Sequence, residues 1–389
     1  MSTTVKRNSV SDGIAFTGKS WSYVLRVPDP RTGKTKPKWV GGFTTRESAL
    51  LARDEARVSL RKRNYVAPTK TTLGEFLEQW IETHALRIKP TTLLTYRELI
   101  RNYLLPRLGA IQVQNLTPLD VERLYVDLIT TPGKAGQNLS STTAIRCVAI
   151  LKKALKTAER DGLITFNPAT RVPLPTVKSP RPTPYTFKEL HNFLETAKSH
   201  RLFFFFRLSA YTGARRGELL ALRWSDFDGK TITINKSRTL SGKAVVEQNS
   251  TKGGNGGQRR VTLDPETIEL FKAHKKRQLD EAEKQIKVGA WVNTGYVFVK
   301  ENGEPLDTGT PTHLFRKLLV KANLRVTRLH DLRHLHATEL LRLGEPLHVV
   351  SDRLGHRDPM VTATVYAHVS SEQAESASAT FANGSKNAI

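Results

Sequence analysis

Between positions 173 and 184 the chain carries Pro173, Pro175, Pro180, Pro182 and Pro184, with Lys178 and Arg181 among them. No helix or central strand accepts prolines at that density, because each one fixes φ and removes a backbone donor. The stretch reads as a semi-extended, basic strap between domains. It divides a chain of 389 residues, too long for one ordinary core, into parts that must fold separately.

The pattern changes again upstream of the strap. Residues 20–27 (Ser-Trp-Ser-Tyr-Val-Leu-Arg-Val) and 38–43 (Lys-Trp-Val-Gly-Gly-Phe) are rich in strand formers around a turn at 29–34. Thr44 three residues before Glu47 has the form of a capping box, opening a helix to about residue 63. From Leu73 onward the apolar spacing is helical: Leu73, Phe76, Leu77, Trp80 and Ile81, a second helix opened by Pro90, a third by Thr117-Pro118, and a fourth by Ser140. Beyond the strap the pattern is mixed. Helices are expected at 187–199, 203–211 and from about 215, a β-region at 231–263, a helix from Pro265, a short strand at 296–299, and several closing helices. The expected fold is therefore multidomain. A small β-sheet-plus-helix domain spans 1–66, an all-α domain 67–172, the linker 173–184, and a mixed, mainly-α α+β domain 185–389.

The formal net charge is +25 and the pI about 10.2, which points to a polyanionic partner. The surplus is spread over all three domains, unlike a basic tail. Cys147 is the only cysteine, so disulfides within the chain and Cys-rich zinc modules are excluded; it falls in an apolar helical pattern and reads as core. The first residues lack the apolar stretch of an export signal, and the longest aromatic run, 203–206, is too short for a bilayer. A soluble, intracellular chain without membrane contact is expected.

Four segments carry chemistry. They are Thr212-Gly213-Ala214-Arg215 with Glu218-Leu219, His330-Asp331-Leu332-Arg333-His334, Leu354-Gly355-His356, and Tyr366 about two turns into the helix that follows. Breaking a phosphodiester without a metal requires neutralisation of the phosphate, an in-line nucleophile and an acid for the departing oxygen. The planar fork of arginine suits the first task, and Arg215 and Arg333 are the candidates. Tyr366 offers a phenol whose ionised form nearby cations would favour. His330 and Arg333 share one helical face, and His356 precedes a helix with Asp358 as cap and Pro359 at its first position. Glu218 reads as a structural partner of a nearby base. His330 and His334 have the spacing of a zinc-binding helix, but a third ligand is missing and Arg333 is an unfavourable neighbour for a cation, so no metal is expected.

In order and spacing, these segments resemble the tyrosine recombinase, or phage integrase, family across about 185–370. The resemblance implies that Arg215, His330, Arg333 and His356 contact the scissile phosphate and that Tyr366 forms a 3′-phosphotyrosyl intermediate. It also implies a general-acid lysine on a β-hairpin between the arginine segments. Lys252, before Arg259-Arg260-Val261-Thr262-Leu263, fits best, although the run from Gly253 to Gly257 makes the turn longer and richer in glycine than the family pattern. Lys236 and Lys243 are outside candidates. The glycine run lacks the Gly-Lys-Ser/Thr ending of a P-loop.

By the same resemblance, 67–172 is a core-binding domain that closes a clamp around DNA, and 1–66 is a lambda-like arm-binding domain with a three-stranded sheet. Candidate DNA contacts are Lys34, Lys36, Lys38, Arg61, Lys62 and Arg63 in the first domain, Lys152 and Lys153 in the second, and Lys178 in the linker. The implied partners are double-stranded DNA at core and arm sites, a homotetramer on that DNA, a host DNA-bending protein and an excisionase. No cofactor is implied, and the location would be the nucleoid-associated cytoplasm of a bacterial host. Strand cleavage of the type IB topoisomerase kind and a non-catalytic DNA-binding regulator remain alternatives.

Overall fold

The computed structural model describes residues 8–10, 13–28, 34–61, 65–131, 138–175, 185–241, 244–249, 258–356, 360 and 363. Two compact units partition the chain, Met1–Lys178 and Ser179–Ile389.

The first unit holds two separate cores. In the first of them, β1 (Asn8–Val10), β2 (Ile14–Phe16), β3 (Trp21–Pro28) and β4 (Thr35–Phe43) form an antiparallel sheet in that order. The expected three strands are thus four, because Asn8–Val10 pairs with β2. Helix α1 (Arg46–Arg61) packs on β3 over Ile14, Tyr23, Leu25, Ala49 and Ala56. Its cap is Thr45 and not Thr44: Ser48 N donates to Thr45 Oγ1 at 3.1 Å, so the reciprocal pair sits one residue later than the Thr44–Glu47 spacing suggested. Register decides which side of the sheet each basic residue occupies. Leu25 faces Lys38 and Val27 faces Lys36 across the ladder, so both lysines stand on the α1 side, while Arg26 and Trp39 belong to the opposite face.

The second core is helical. Helix α2 (Leu73–Ala85) starts at a complete capping box, with Glu75 N donating to Thr72 Oγ1 and Thr72 N donating to Glu75 Oε2. Helix α3 (Pro90–Leu99) continues through a π-helical turn, Ile100–Leu104, into α4 (Leu105–Leu108). Pro106 lies just beyond that turn and offers no N–H for an i−4 bond, so the wider turn accommodates it without a break. Helices α5 (Pro118–Thr130) and α6 (Ser141–Arg160) complete the unit, opened by Thr117 and Ser140 as expected. Cys147 is fully buried between them and the other helices, and burial pushes its thiol up to about 11, which leaves it protonated and inert at neutral pH.

In the second unit, α7 (Phe187–Ala197), α8 (Phe203–Thr212) and α9 (Arg216–Ala221) precede two small ribbons. Strand β5 (Thr231–Ile234) pairs with β8 (Arg259–Thr262), and β6 (Lys236–Ser241) pairs with β7 (Ala244–Asn249). Then follow α10 (Pro265–Ile286), α11 (Thr310–Lys321), α12 (Asp331–Arg342) and α13 (Leu347–Leu354). Phe193, Phe205, Phe206, Phe298 and Phe315 fill the core. The aromatic run at 203–206 is therefore the buried turn of α8.

The strand expected at 296–299 is an irregular segment with isolated bridges from Tyr296 to Arg223 and from Val299 to Pro305. Side chains occupy its carbonyls in place of a ladder. His274 Nε2 donates to Val297 O at 2.8 Å, Gln278 Nε2 to Tyr296 O at 3.3 Å, and Arg201 Nη1 to Val299 O at 2.5 Å. The apolar run was a sign of burial, and α10 together with Arg201 supplied the donors that a neighbouring strand would have given.

Candidate active site

The end of α8 shapes the first part of the site. Gly213 closes the helix in the left-handed region at φ 62°, and a Cβ there would lie 2.5 Å from Leu354 Cδ2. The chain then turns so that Arg215 becomes the N-cap of α9. Glu218, at the third position of α9, reaches back beneath it. Its Oε2 accepts from Arg215 N at 2.8 Å and its Oε1 accepts from Arg215 Nη1 at 2.8 Å. The Glu218 side chain is 1% exposed whereas that of Arg215 is 42% exposed, so the carboxylate is hidden and the guanidinium remains reachable. Glu218 is the structural partner expected.

Arg333 comes from the first turn of α12 and is 3% exposed. Its Nη1 donates to Gly213 O and its Nη2 to Leu354 O, each at 2.7 Å. Those two bonds join the arginine segment on α8–α9 to the segment that carries His356. Just before α12, Arg328 N donates to Asp331 Oδ2 at 2.9 Å and Arg328 Nη2 to Oδ1 at 3.0 Å. Asp331 is buried in this role and fixes the chain on either side of His330. His330 is the N-cap residue, with its ring 5.1 Å from that of His334, edge to face. Gly355, at φ 66°, closes α13 in the left-handed region, and His356 N then donates to Ser351 O at 3.0 Å.

Electrostatics binds these groups into one cluster. Burial holds the His356 imidazole down at about 4, helped by the charges of Arg333, Arg215 and Arg259 and by His330. Burial likewise lowers His330 to about 4, with His334, Arg333 and Arg215 adding to it and Asp331 opposing. Arg333 is pushed down to about 9 by burial and then by Arg215 and Arg259, against Glu218; it stays protonated at neutral pH. Two guanidiniums, Arg215 and Arg259, thus pair with one buried carboxylate, and a third, Arg333, feels its charge, beside two neutral imidazoles. The surplus is positive, and the arrangement is fit to hold a tetrahedral oxyanion.

Comparison with known proteins agrees in three separate stretches of the chain. Residues 183–373 match the Phage integrase family, 72–129 match a phage integrase N-terminal SAM-like domain, and 14–59 match an arm DNA-binding domain. The chain belongs to the phage integrase family of tyrosine recombinases.

A tyrosine recombinase XerC-like protein of Caldanaerobacter subterraneus subsp. tengcongensis is 27% identical over 389 aligned residues, covering 95% of this chain and 96% of its own. The ICEBs1 integrase of Bacillus subtilis is 26% identical, covering 88% and 90%. Among solved structures, the Tn1549 transposon integrase in complex with transposon right-end DNA superposes with a TM-score of 0.66 at 20% identity, covering 79% of this chain and 99% of that one. A lambda integrase dimer bound to a core site superposes with 0.56 at 19%, covering 92% and 96%. These likenesses establish the fold of a tyrosine recombinase.

Of the six residues expected at the recombinase site, the fold brings together Arg215, His330, Arg333 and His356. Lys252 and Tyr366 lie outside the described residues, as do Lys243, the run from Gly253 to Gly257 and the Asp358–Pro359 cap. The outside candidate Lys236 is engaged elsewhere, with its Nζ 3.2 Å from Glu247 Oε1. Among the expected DNA contacts, Lys34, Lys36 and Lys38 are exposed on or beside β4, Arg61 is exposed at the end of α1, and Lys152 and Lys153 are exposed on α6. Lys153 Nζ sits 5.5 Å from the centre of the Tyr96 ring. Lys62, Arg63 and Lys178 lie outside the described residues.

Sequence reasoning missed Arg259 and Arg353. Arg259 pairs with Glu218 across 41 positions, a separation at which no spacing rule operates. Arg353 donates from Nε to His336 Nε2 at 3.1 Å and from Nη2 to Tyr211 O at 3.1 Å, pinning α13 to α12 and α8. The basic residue before a run such as Val261-Thr262-Leu263 was the only available signal for the first.

Proposed function

We propose that this chain is an integrase that cuts and rejoins DNA at specific sites, inserting and excising a phage or other mobile element. The observation that carries this reading is the shared cluster of Arg215, Arg333, His330 and His356, contributed by α9, α12 and the end of α13.

In the proposed reaction the two guanidiniums hold the nonbridging oxygens of the scissile phosphate, with His330 and His356 hydrogen-bonding the same group. The phenol oxygen of Tyr366 gives up its proton to solvent water and bonds to phosphorus in line. The bond from phosphorus to the 5′-oxygen breaks, and Lys252 delivers a proton to that oxygen. The 3′-phosphotyrosyl link conserves the energy of the broken bond, so a 5′-hydroxyl from a partner strand can attack it and release the tyrosine. No ATP or metal enters this balance. The four residues brought together hold the phosphate throughout, whichever oxygen is leaving.

The domain assignment follows the same reading: 1–66 as the arm-binding domain, 67–172 as the core-binding domain, 173–184 as the strap and 185–389 as the catalytic domain. The matches to 14–59, 72–129 and 183–373 support it. Double-stranded DNA is the substrate, with a homotetramer on paired sites as the working assembly and a host bending protein and an excisionase as accessory partners. Among the described residues no helix is long and apolar enough to cross a membrane. The proposed place of action is the bacterial nucleoid, where the DNA substrate lies.

A nicked suicide substrate tests the chemistry. Wild type should form a covalent protein–DNA adduct, and Tyr366→Phe should bind the same DNA and form none. A wild type that binds but forms no adduct would leave only the non-catalytic regulator. Exchange of strands between two sites separates an integrase from a topoisomerase.

A further inference from the structure

Arg259 is not among the six proposed catalytic residues, yet it touches two of the segments that carry them. It is the first residue of β8 and is 8% exposed. Its fork grips Glu218, Nη2 to Oε2 at 2.7 Å and Nη1 to Oε1 at 3.2 Å, and its Nε donates to Arg353 O at 2.8 Å. Gly355 lets it pass closely, since a Cβ there would stand 3.0 Å from Arg259 Nη1. One planar side chain therefore links β8, Glu218 beneath Arg215, and the end of α13 that leads into His356.

Charge gives this link a purpose. Glu218 is buried and must be compensated. With Arg215 as its only cation, the carboxylate would draw that guanidinium into a closed pair and cancel the charge needed by a phosphate. With Arg259 in place, Glu218 is already neutralised, and one Nη1 contact is enough to orient Arg215 while its charge stays available. A lysine could balance the charge, but it has no fork to bridge both oxygens and no Nε to hold the Arg353 carbonyl.

We propose that Arg259 is a positioning residue for strand cleavage, holding Glu218 away from full pairing with Arg215 and fixing the turn that presents His356. The proposal deepens, and rests on, the strand-cleavage reading above.

The test uses the full chain and two suicide substrates, one with an ordinary scissile phosphodiester and one with a neutral methylphosphonate at that position. The neutral group does not need the arginine charge, so it separates loss of phosphate neutralisation from general disruption. Arg259→Gln and Arg259→Lys are compared with wild type in single turnover at saturating DNA, below the melting temperature of each protein. On the phosphodiester, cleavage should slow by about tenfold to a hundredfold, the scale of a misplaced catalytic group. On the methylphosphonate, the gap from wild type should shrink to within roughly a factor of three. Should Arg259→Gln fail to fold, Arg259→Lys, which keeps a cation beside Glu218, decides alone. Equal losses on both substrates, or no loss on the phosphodiester, would overturn the proposal. A wild type that forms no adduct on the phosphodiester would instead count against the recombinase chemistry, so the two failures are distinguishable.

Discussion

Replacing Glu218 by glutamine should destabilise the catalytic unit far more than the loss of one formal charge at a surface would. Both arginines donate to both carboxylate oxygens: Oε1 accepts from Arg215 Nη1 and Arg259 Nη1, Oε2 from Arg215 N and Arg259 Nη2. An amide has one oxygen, so whichever way it turns, its NH2 faces two donors. Two independent routes size the effect. Removing one partner of a buried ion pair costs about 3–5 kcal/mol. Burial raises the Glu218 carboxyl, but the hydrogen bond and charge of Arg259, joined by the charge and backbone N–H of Arg215, outweigh it and hold the group at about 2 instead of 4.5, which corresponds to about 3 kcal/mol of stability at neutral pH. For a unit of this size, a loss of that order lowers the melting temperature by roughly 6–12 °C. The sign of the pH dependence follows. A carboxyl with a depressed folded pKa stabilises fully above 4.5, and the benefit fades as pH falls towards 2. The gap between wild type and Glu218→Gln should therefore narrow below pH 4.5. Scanning calorimetry of the full chain at pH 7 and at lower pH reads both effects. Every transition of the variant within about 2 °C of wild type at pH 7 would refute the reasoning.

Three further outcomes are expected. Gly213→Ala forces a side chain into the left-handed region and against Leu354, costing roughly 2–4 kcal/mol, and should also slow cleavage because the Gly213 carbonyl holds Arg333; unchanged urea midpoints would contradict this. Thr117→Ala removes the α5 cap and should cost about 1 kcal/mol, with adduct formation at saturating DNA unchanged; a wild-type midpoint for the affected transition would count against the cap. Burial lowers His274 to about 4 and His336 to about 3, so their unfolded forms bind protons first on acidification; stability should decline from pH 6.5 towards 4, and equal urea midpoints at pH 7.5 and 5 would refute it.

Much of the architecture was legible because it depends on local chemistry. Pro90, Thr117-Pro118 and Ser140 mark helix starts through orphan N–H groups, and each one opens a helix as expected. The errors share a different cause. Thr44 and Thr45 offer the same cap chemistry one residue apart, and only packing of α1 on β3 chooses between them. Val297, Phe298 and Val299 are buried as a strand would be, but donors on α10 and from Arg201, just before α8, replaced the ladder. The fourth strand, Asn8–Val10, depends on pairing with β2, which no periodicity in three residues announces.

For the site, the sequence alone determined which residue types were present and on which elements they rode. Arg215 stood before a helix, Arg333 one turn into another, and His356 after a glycine, because capping and backbone strain at those positions are local matters. What only the tertiary structure decided was their company. The bonds from Arg333 to Gly213 and Leu354, and from Arg259 to Glu218, span 120, 21 and 41 positions. Contacts at those separations arise from how α8, α9, α12, α13 and β8 pack. Hydrogen-bond geometry and local charge then select which of 61 basic residues meet at a single carboxylate.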